Sequence, residues 1–223
     1  MKINYTLLKQ AFEKEPAIGL IGQSGAGKGL MQKLIIETYN ELFPKGKIFT
    51  VESGLLLRET IPKMSKWNRE KLKDRQLSGK LQSWLIATAL WVHRILKSYR
   101  GGPILFDGSP RSIPEVDAVA ELYHRYAGKE IIVFVLDISD ELAIKRMKKR
   151  NDELAQKGEK VRQDTIDPEA LKAKLAFYHE STVPALDLLK TKLGCYVYHI
   201  DASYPPAVVK KAIFSALITF HSK

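Results

Sequence analysis

Five short, mostly apolar runs recur along the chain: Ala17–Ile21, Lys47–Val51, Pro103–Asp107, Ile131–Leu136 and Tyr196–Ile200. Within them apolar side chains follow one another instead of alternating with polar ones, the pattern of a strand covered on both faces. Helical spacing fills the intervals, and this alternation predicts an α/β fold with a five-stranded parallel sheet wrapped by helices. A single crossover helix needs only a dozen or so residues, yet about fifty separate the second run from the third. There Ser53–Arg58, Trp67–Leu77 and Leu81–Tyr99 read as helices, the first two as a small flap. The third is apolar nearly all round at its start (Leu85, Ile86, Ala87, Ala89, Leu90, Trp91), which predicts a helix buried in the core.

After the fourth run, Glu141–Arg150 is helical, and the polar stretch Asn151–Lys160 has almost nothing to bury, which predicts a surface loop or lid. Asp167-Pro168 then offers a cap and a first-turn proline to a long helix running towards Lys192. With no internal repeat or Ser/Gly linker, residues 1–223 read as one domain carrying inserts.

Composition is that of a folded protein, 45% hydrophobic and 27% charged. The single cysteine, Cys195, excludes an intrachain disulfide and reads as a buried core thiol. Residues Met1–Thr6 show no apolar leader core, no stretch reaches membrane-spanning length, and the expected compartment is a reducing cytoplasm. Lysine and arginine total 36 against 25 acids, a charge of +11 that favours anionic partners. The lysines are scattered and no motif interleaves them with aromatics, which argues against nucleic acid and leaves nucleotides.

The strongest chemical signal is Gly22-Gln23-Ser24-Gly25-Ala26-Gly27-Lys28-Gly29, directly after the first strand and opening a helix. Glycines let successive amide N–H groups surround phosphate oxygens, the helix N-terminus adds a favourable dipole, and Lys28 reaches the β and γ phosphates. Gly22, Ser24, Gly25, Ala26, Gly27, Lys28, Gly29 and Leu30 are therefore the candidate triphosphate-binding residues.

With glycine after the lysine, this loop resembles that of the adenylate kinases, P-loop nucleoside monophosphate kinases. Further segments match that family in order: Ser53-Gly54-Leu55-Leu56-Leu57-Arg58, Asp107-Gly108-Ser109-Pro110-Arg111, Arg146-Met147-Lys148-Lys149-Arg150, Arg162-Gln163-Asp164 and Lys174–Tyr178 with Thr182-Val183-Pro184. The resemblance spans Ile18 to the C-terminal helix. It implies a P-loop NTPase-like sheet, a monophosphate-binding flap at 52–84 and a short lid at 151–163 that has no Cys or His, so no structural zinc is expected. It further implies a monomer that takes ATP with Mg²⁺ and a nucleoside monophosphate, transferring the phosphoryl group directly in line.

By the same resemblance Arg58 and Arg111 hold the acceptor's α-phosphate, with Ser53, Gln82, Glu115, Arg162 and Lys174 completing that site. Arg146 lies against the donor base, Arg150 meets the phosphates, and Arg162 clamps the transferring group. Lys28, Arg111, Arg150, Arg162 and Lys174 carry the catalytic charge. Asp107, at a strand end, holds Mg²⁺ through water. Phosphoryl transfer needs positioning and charge neutralisation more than a covalent nucleophile, which suits such a cluster. His93, His124, His179 and His199 lie away from the motifs and read as structural.

The chain departs from the family pattern at Ser24 for a proline, Leu30 for a threonine, Leu55 for an aspartate, Lys174 for an arginine and Glu115 for glutamine. A glutamine at the last position can both donate and accept towards adenine, whereas a carboxylate only accepts, which suits the adjacent N–H donors of guanine. Three alternatives stay open: AMP as acceptor, GMP or another monophosphate, and a nucleotide binder without turnover. A helix-terminal, exposed Glu115 with no role in base reading is also compatible with the sequence.

Overall fold

The computed structural model describes residues 3–77, 83–159, 161 and 165–222. The order is α1 (Tyr5–Glu13), β1 (Ala17–Ile21), α2 (Lys28–Leu42), β2 (Phe49–Glu52), α3 (Ser53–Thr60), α4 (Lys66–Leu77), α5 (Trp84–Ser98), β3 (Ile104–Asp107), α6 (Ile113–Val119), β4 (Ile131–Asp137), α7 (Asp140–Gln156), α8 (Pro168–Phe177), α9 (Val183–Leu189), β5 (Cys195–Asp201) and α10 (Pro206–His221). The strands stand in the order β2-β3-β1-β4-β5, and every pairing is parallel. All five apolar runs are strands, with ends within two residues of those expected.

Alternate residues of each strand feed opposite faces. Ile18, Leu20, Ile132, Phe134 and Leu136 join Phe12 of α1, Ile35 of α2 and Phe214 of α10. Ala17, Ile21, Val133 and Val135 join Trp91 and Ile95 of α5, Val116 of α6 and Leu189 of α9. Burial on both faces is the reason the central strands β1, β3 and β4 read as unbroken apolar runs, while the edge strands β2 and β5 are only partly covered.

Three expectations change. The start of α5 is not buried: Trp84 and Leu85 are 40% and 59% exposed, and only Trp91 and Ile95 are fully inside. Its first turns leave the sheet, and Ile86 and Leu90 pack instead on the small flap cluster of Leu57, Ile61 and Leu72. Asn151–Gln156 is not loop but the last turns of α7. Helix formers without a buried face propagate an existing helix, aided by the Lys149–Glu153 pair at i, i+4. The long helix towards Lys192 is interrupted by a π-helical turn at Tyr178–Thr182 between α8 and α9. Pro184 in the first turn of α9 has no N–H to continue the ladder. α1, capped by the Asn4 side chain on the amides of Thr6 and Leu7, adds a helix that the periodicity reading left out.

In an open parallel sheet ligands bind beyond the carboxyl ends of the strands, where the chain departs to opposite sides. Here that place is the end of β1, flanked by β3 and β4.

Candidate active site

β1 ends at Ile21 and the glycine loop delivers the chain to α2, whose N-cap, Gly27, is left-handed at φ 93° and makes no side-chain cap. A Cβ built on Gly27 or Gly29 meets nothing within 4 Å, so open space lies over the first amides of the helix, as a phosphate requires. Gly25 is constrained differently. At φ 90°, its Cβ would stand 2.6 Å from the backbone oxygen of Ala143, so glycine lets the loop touch the backbone of α7. Lys28 Nζ donates to the carbonyls of Gly22 at 2.7 Å and Gln23 at 3.2 Å, which holds the ammonium across the loop mouth.

This loop forms one wall of a cavity of about 560 Å³. Gly22, Ser24, Gly25, Gly27, Lys28, Gly29 and Leu30 line it from the β1–α2 side, Ser53 and Arg58 from α3, and Asp107 and Arg111 from the end of β3 and the loop after it. Glu115 of α6, Arg146 and Arg150 of α7, and Lys174 of α8 complete it. Residues more than a hundred positions apart thus converge on one space. Of the residues singled out from sequence, Ala26 is buried and absent from the lining. Gln82 and Arg162 lie outside the described residues.

Several contacts fix this wall. Arg146 donates through Nη1 to the carbonyl of Ala202 at 2.8 Å and through Nη2 to that of Ser203 at 3.2 Å, tying α7 to the turn after β5. The buried Ser53 and Ser109 hydroxyls lie 3.0 Å apart and join the flap to the β3–α6 loop. Thr182 Oγ1 donates to the carbonyl of Arg111 at 3.2 Å, so the π-helical turn holds the arginine-bearing segment.

Glu115 is not the exposed helix-end glutamate that sequence allowed, being 2% exposed. Its Oε2 accepts from the Arg111 amide at 3.2 Å and its Oε1 from the Ser112 hydroxyl at 3.0 Å, which ties the first turn of α6 to the two residues before it. Burial pushes its carboxyl above the usual range, outweighing the Arg111 amide, the Arg111 guanidinium and the serine hydroxyls that pull it down.

At the end of β3, Asp107 Oδ1 is buried without a hydrogen-bond partner among the described residues. A carboxylate oxygen in that state suits water or a hydrated cation, so the residues present fit a nucleotide-borne Mg²⁺. Among the described residues no cluster of three or more His, Cys, Asp or Glu could hold a metal by itself. Leu30 and Leu55, 45% and 39% exposed, face the same cavity.

Sequence reasoning passed over Glu52, which lines the cavity and accepts from Gln32 Nε2 at 2.6 Å. Its signal was its place, the last residue of a parallel strand beside Asp107. Two histidines also stand closer than expected. His179 and His199 pair with Asp140 at 3.0 Å and Asp137 at 2.8 Å around a second cavity of about 280 Å³, which shares Gln23 and Tyr178 with the first. His124 meets the Lys129 carbonyl at 3.0 Å, a structural contact. Cys195 is buried, which pushes its thiol up to about 11. No helix among the described residues is long and apolar enough to cross a membrane.

A family model described as adenylate kinase matches residues 20–193. The chain is 29% identical over 181 residues to the adenylate kinase of Bartonella bacilliformis, an alignment covering 78% of this chain and 90% of that protein. It is 28% identical over 165 residues to those of Brucella melitensis and Brucella ovis, covering 74% of this chain and 80% of theirs. Phosphate loop, convergent cations, sheet order and family match agree: the chain belongs to the adenylate kinase family, and is a nucleoside monophosphate kinase.

Proposed function

We propose that the protein transfers a phosphoryl group reversibly from ATP to AMP, giving two ADP. The observation that carries this reading is the meeting of the glycine loop with Lys28, Arg58, Arg111, Arg146, Arg150 and Lys174 around one cavity. A chain of anionic phosphates between donor and acceptor needs cations on every side.

The loop amides and Lys28 bind the donor's β and γ phosphates, and Arg146 packs against its base beside the Ala202 and Ser203 carbonyls. Arg58 and Arg111 hold the acceptor's α-phosphate. Arg150, Arg162 and Lys174 neutralise the charge that spreads over the moving group. The acceptor's phosphate oxygen attacks the γ-phosphorus as the bond to the β–γ bridging oxygen breaks, and that oxygen leaves with ADP; no phosphoenzyme forms. Asp107 would hold Mg²⁺ through water, and the metal would supply neutralisation of the donor's phosphate charge. The flap at 52–84 and the lid at 151–163 close on the substrates and exclude water that would otherwise hydrolyse ATP. The enzyme acts as a monomer in a reducing cytoplasm, in keeping with the unpaired, buried Cys195.

Glu115 favours a second reading. It lines the cavity at the place where the family reads adenine, and an ionised carboxylate there suits the paired N–H donors of guanine. Both of its oxygens already accept from the Arg111 amide and the Ser112 hydroxyl just before α6, which engages the carboxyl within the protein and favours AMP over base reading by Glu115. Chromatographic detection of diphosphates from ATP with AMP, GMP, CMP, UMP and dTMP, each tested alone, decides the matter. AMP is expected to give the highest kcat/KM, and preference for GMP would transfer base reading to Glu115.

A further inference from the structure

The carboxyl ends of β2 and β3 place two acids side by side. Glu52 and Asp107 are register partners in the parallel ladder, so their Cα atoms stand about 5 Å apart and their side chains leave the same face of the sheet. Both line the cavity that the phosphate loop and Lys28 line. Asp107 Oδ1 is buried with no hydrogen-bond partner among the described residues. Glu52 is held through Oε1 by Gln32 Nε2 at 2.6 Å, and Gln32, 7% exposed, belongs to α2, the helix whose N-terminus opens onto the cradle. The second oxygen of Glu52 has no hydrogen-bond partner among the described residues.

Like charges this close repel unless a cation or proton intervenes. Lys28 is engaged with the loop carbonyls, and Leu30 and Leu55, which line the same cavity, offer no oxygen. What remains is a pair of oxygen acceptors beside the phosphate cradle, one of them braced against α2.

We propose that Glu52, positioned by Gln32, works with Asp107 to receive the hydrated Mg²⁺ that enters with the nucleotide, accepting hydrogen bonds from the metal's water ligands. This rests on the donor-site reading above. The role assigns a purpose to the Glu52–Gln32 bond and restores, from the strand end, oxygen that the leucines do not supply. Mg²⁺ keeps several waters when bound to nucleotides, so two outer carboxylates suffice without a protein-only cage.

The competing reading makes Glu52 a strut between β2 and α2. Glu52→Gln separates the two, because its amide oxygen still accepts from Gln32 while the charge is lost. With Mn²⁺ as the probe, electron paramagnetic resonance of free Mn²⁺ measures metal affinity in the protein–ATP mixture. The variant is expected to hold Mn²⁺ about tenfold more weakly, the factor carried by one hydrogen bond to a charged group. In EDTA, calorimetry is expected to show equal or tighter ATP binding, since a negative charge near the phosphates is gone. Unchanged Mn²⁺ affinity, or loss of ATP binding to the same degree with and without metal, would overturn the proposal while leaving the donor site intact. Failure of the folded wild-type protein to bind ATP under any condition would overturn both.

Discussion

Gly25 and Gly27 share a left-handed backbone but differ in surroundings, so replacing each with alanine separates two costs. A left-handed conformation costs an L-residue about 1–2 kcal/mol, and both variants incur it. At Gly27 the new methyl meets nothing within 4 Å of protein, so destabilisation of the ligand-free protein should end there. At Gly25 the methyl stands 2.6 Å from the Ala143 oxygen, and that oxygen is backbone in α7, which cannot rotate away as a side chain does. Overpacking of this kind costs about 1–3 kcal/mol more, so Gly25→Ala should lose about 2–5 kcal/mol in total. Urea unfolding of the two variants without nucleotide measures the difference directly. Calorimetric titration with ATP should then show the reverse emphasis for Gly27→Ala, whose methyl intrudes where phosphate binds although it meets none of the described protein atoms. Equal unfolding free energies for the two variants would refute the contact between the loop and α7, and with it the account of how that helix carries Arg146 and Arg150 to the cavity.

Two further outcomes follow from buried polar groups. Tyr123 is fully buried in a stack with Phe106 and Trp91, its hydroxyl has no partner among the described residues, and burial pushes its ionisation far up. Tyr123→Phe should therefore gain about 1 kcal/mol and raise the melting temperature by about 2–4 °C, while a loss of stability would reveal a partner for the hydroxyl. Glu115 has its carboxyl raised from the ordinary 4.5 in the folded state, so its contribution is fully present below that value and is lost as pH rises through the raised one. The stability of the wild type relative to Glu115→Gln, followed by urea midpoints between about pH 4 and pH 7, should fall with rising pH. A flat difference would mean the carboxyl titrates normally.

The centre of the sheet was legible because double coverage leaves β1, β3 and β4 no polar face, and Ala17–Ile21 reads as β1 to the residue. The cradle was legible because phosphate binding demands glycine at fixed spacing. The arginines were legible only as a set, through resemblance, since nothing local in Arg58 or Arg150 reveals a shared cavity. Other features depend on partners distant in sequence. The apolar start of α5 looks like core until it is seen to pack on the small Leu57, Ile61 and Leu72 cluster, and the π-helical turn at Tyr178 follows from Pro184 only once both helices are seen to continue across it. Glu52 was hidden because its meaning lies in register: only the ladder pairs it with Asp107.

The most direct test of the central claim is the initial rate of ADP formation from ATP, AMP and Mg²⁺, run in parallel with Lys28→Met. The account predicts steady conversion to two ADP per transfer, reduced at least 100-fold, by the order expected for one positioned charge, in a variant that melts like the wild type. Absence of ADP from the wild-type protein, or an undiminished rate in the variant, would contradict it.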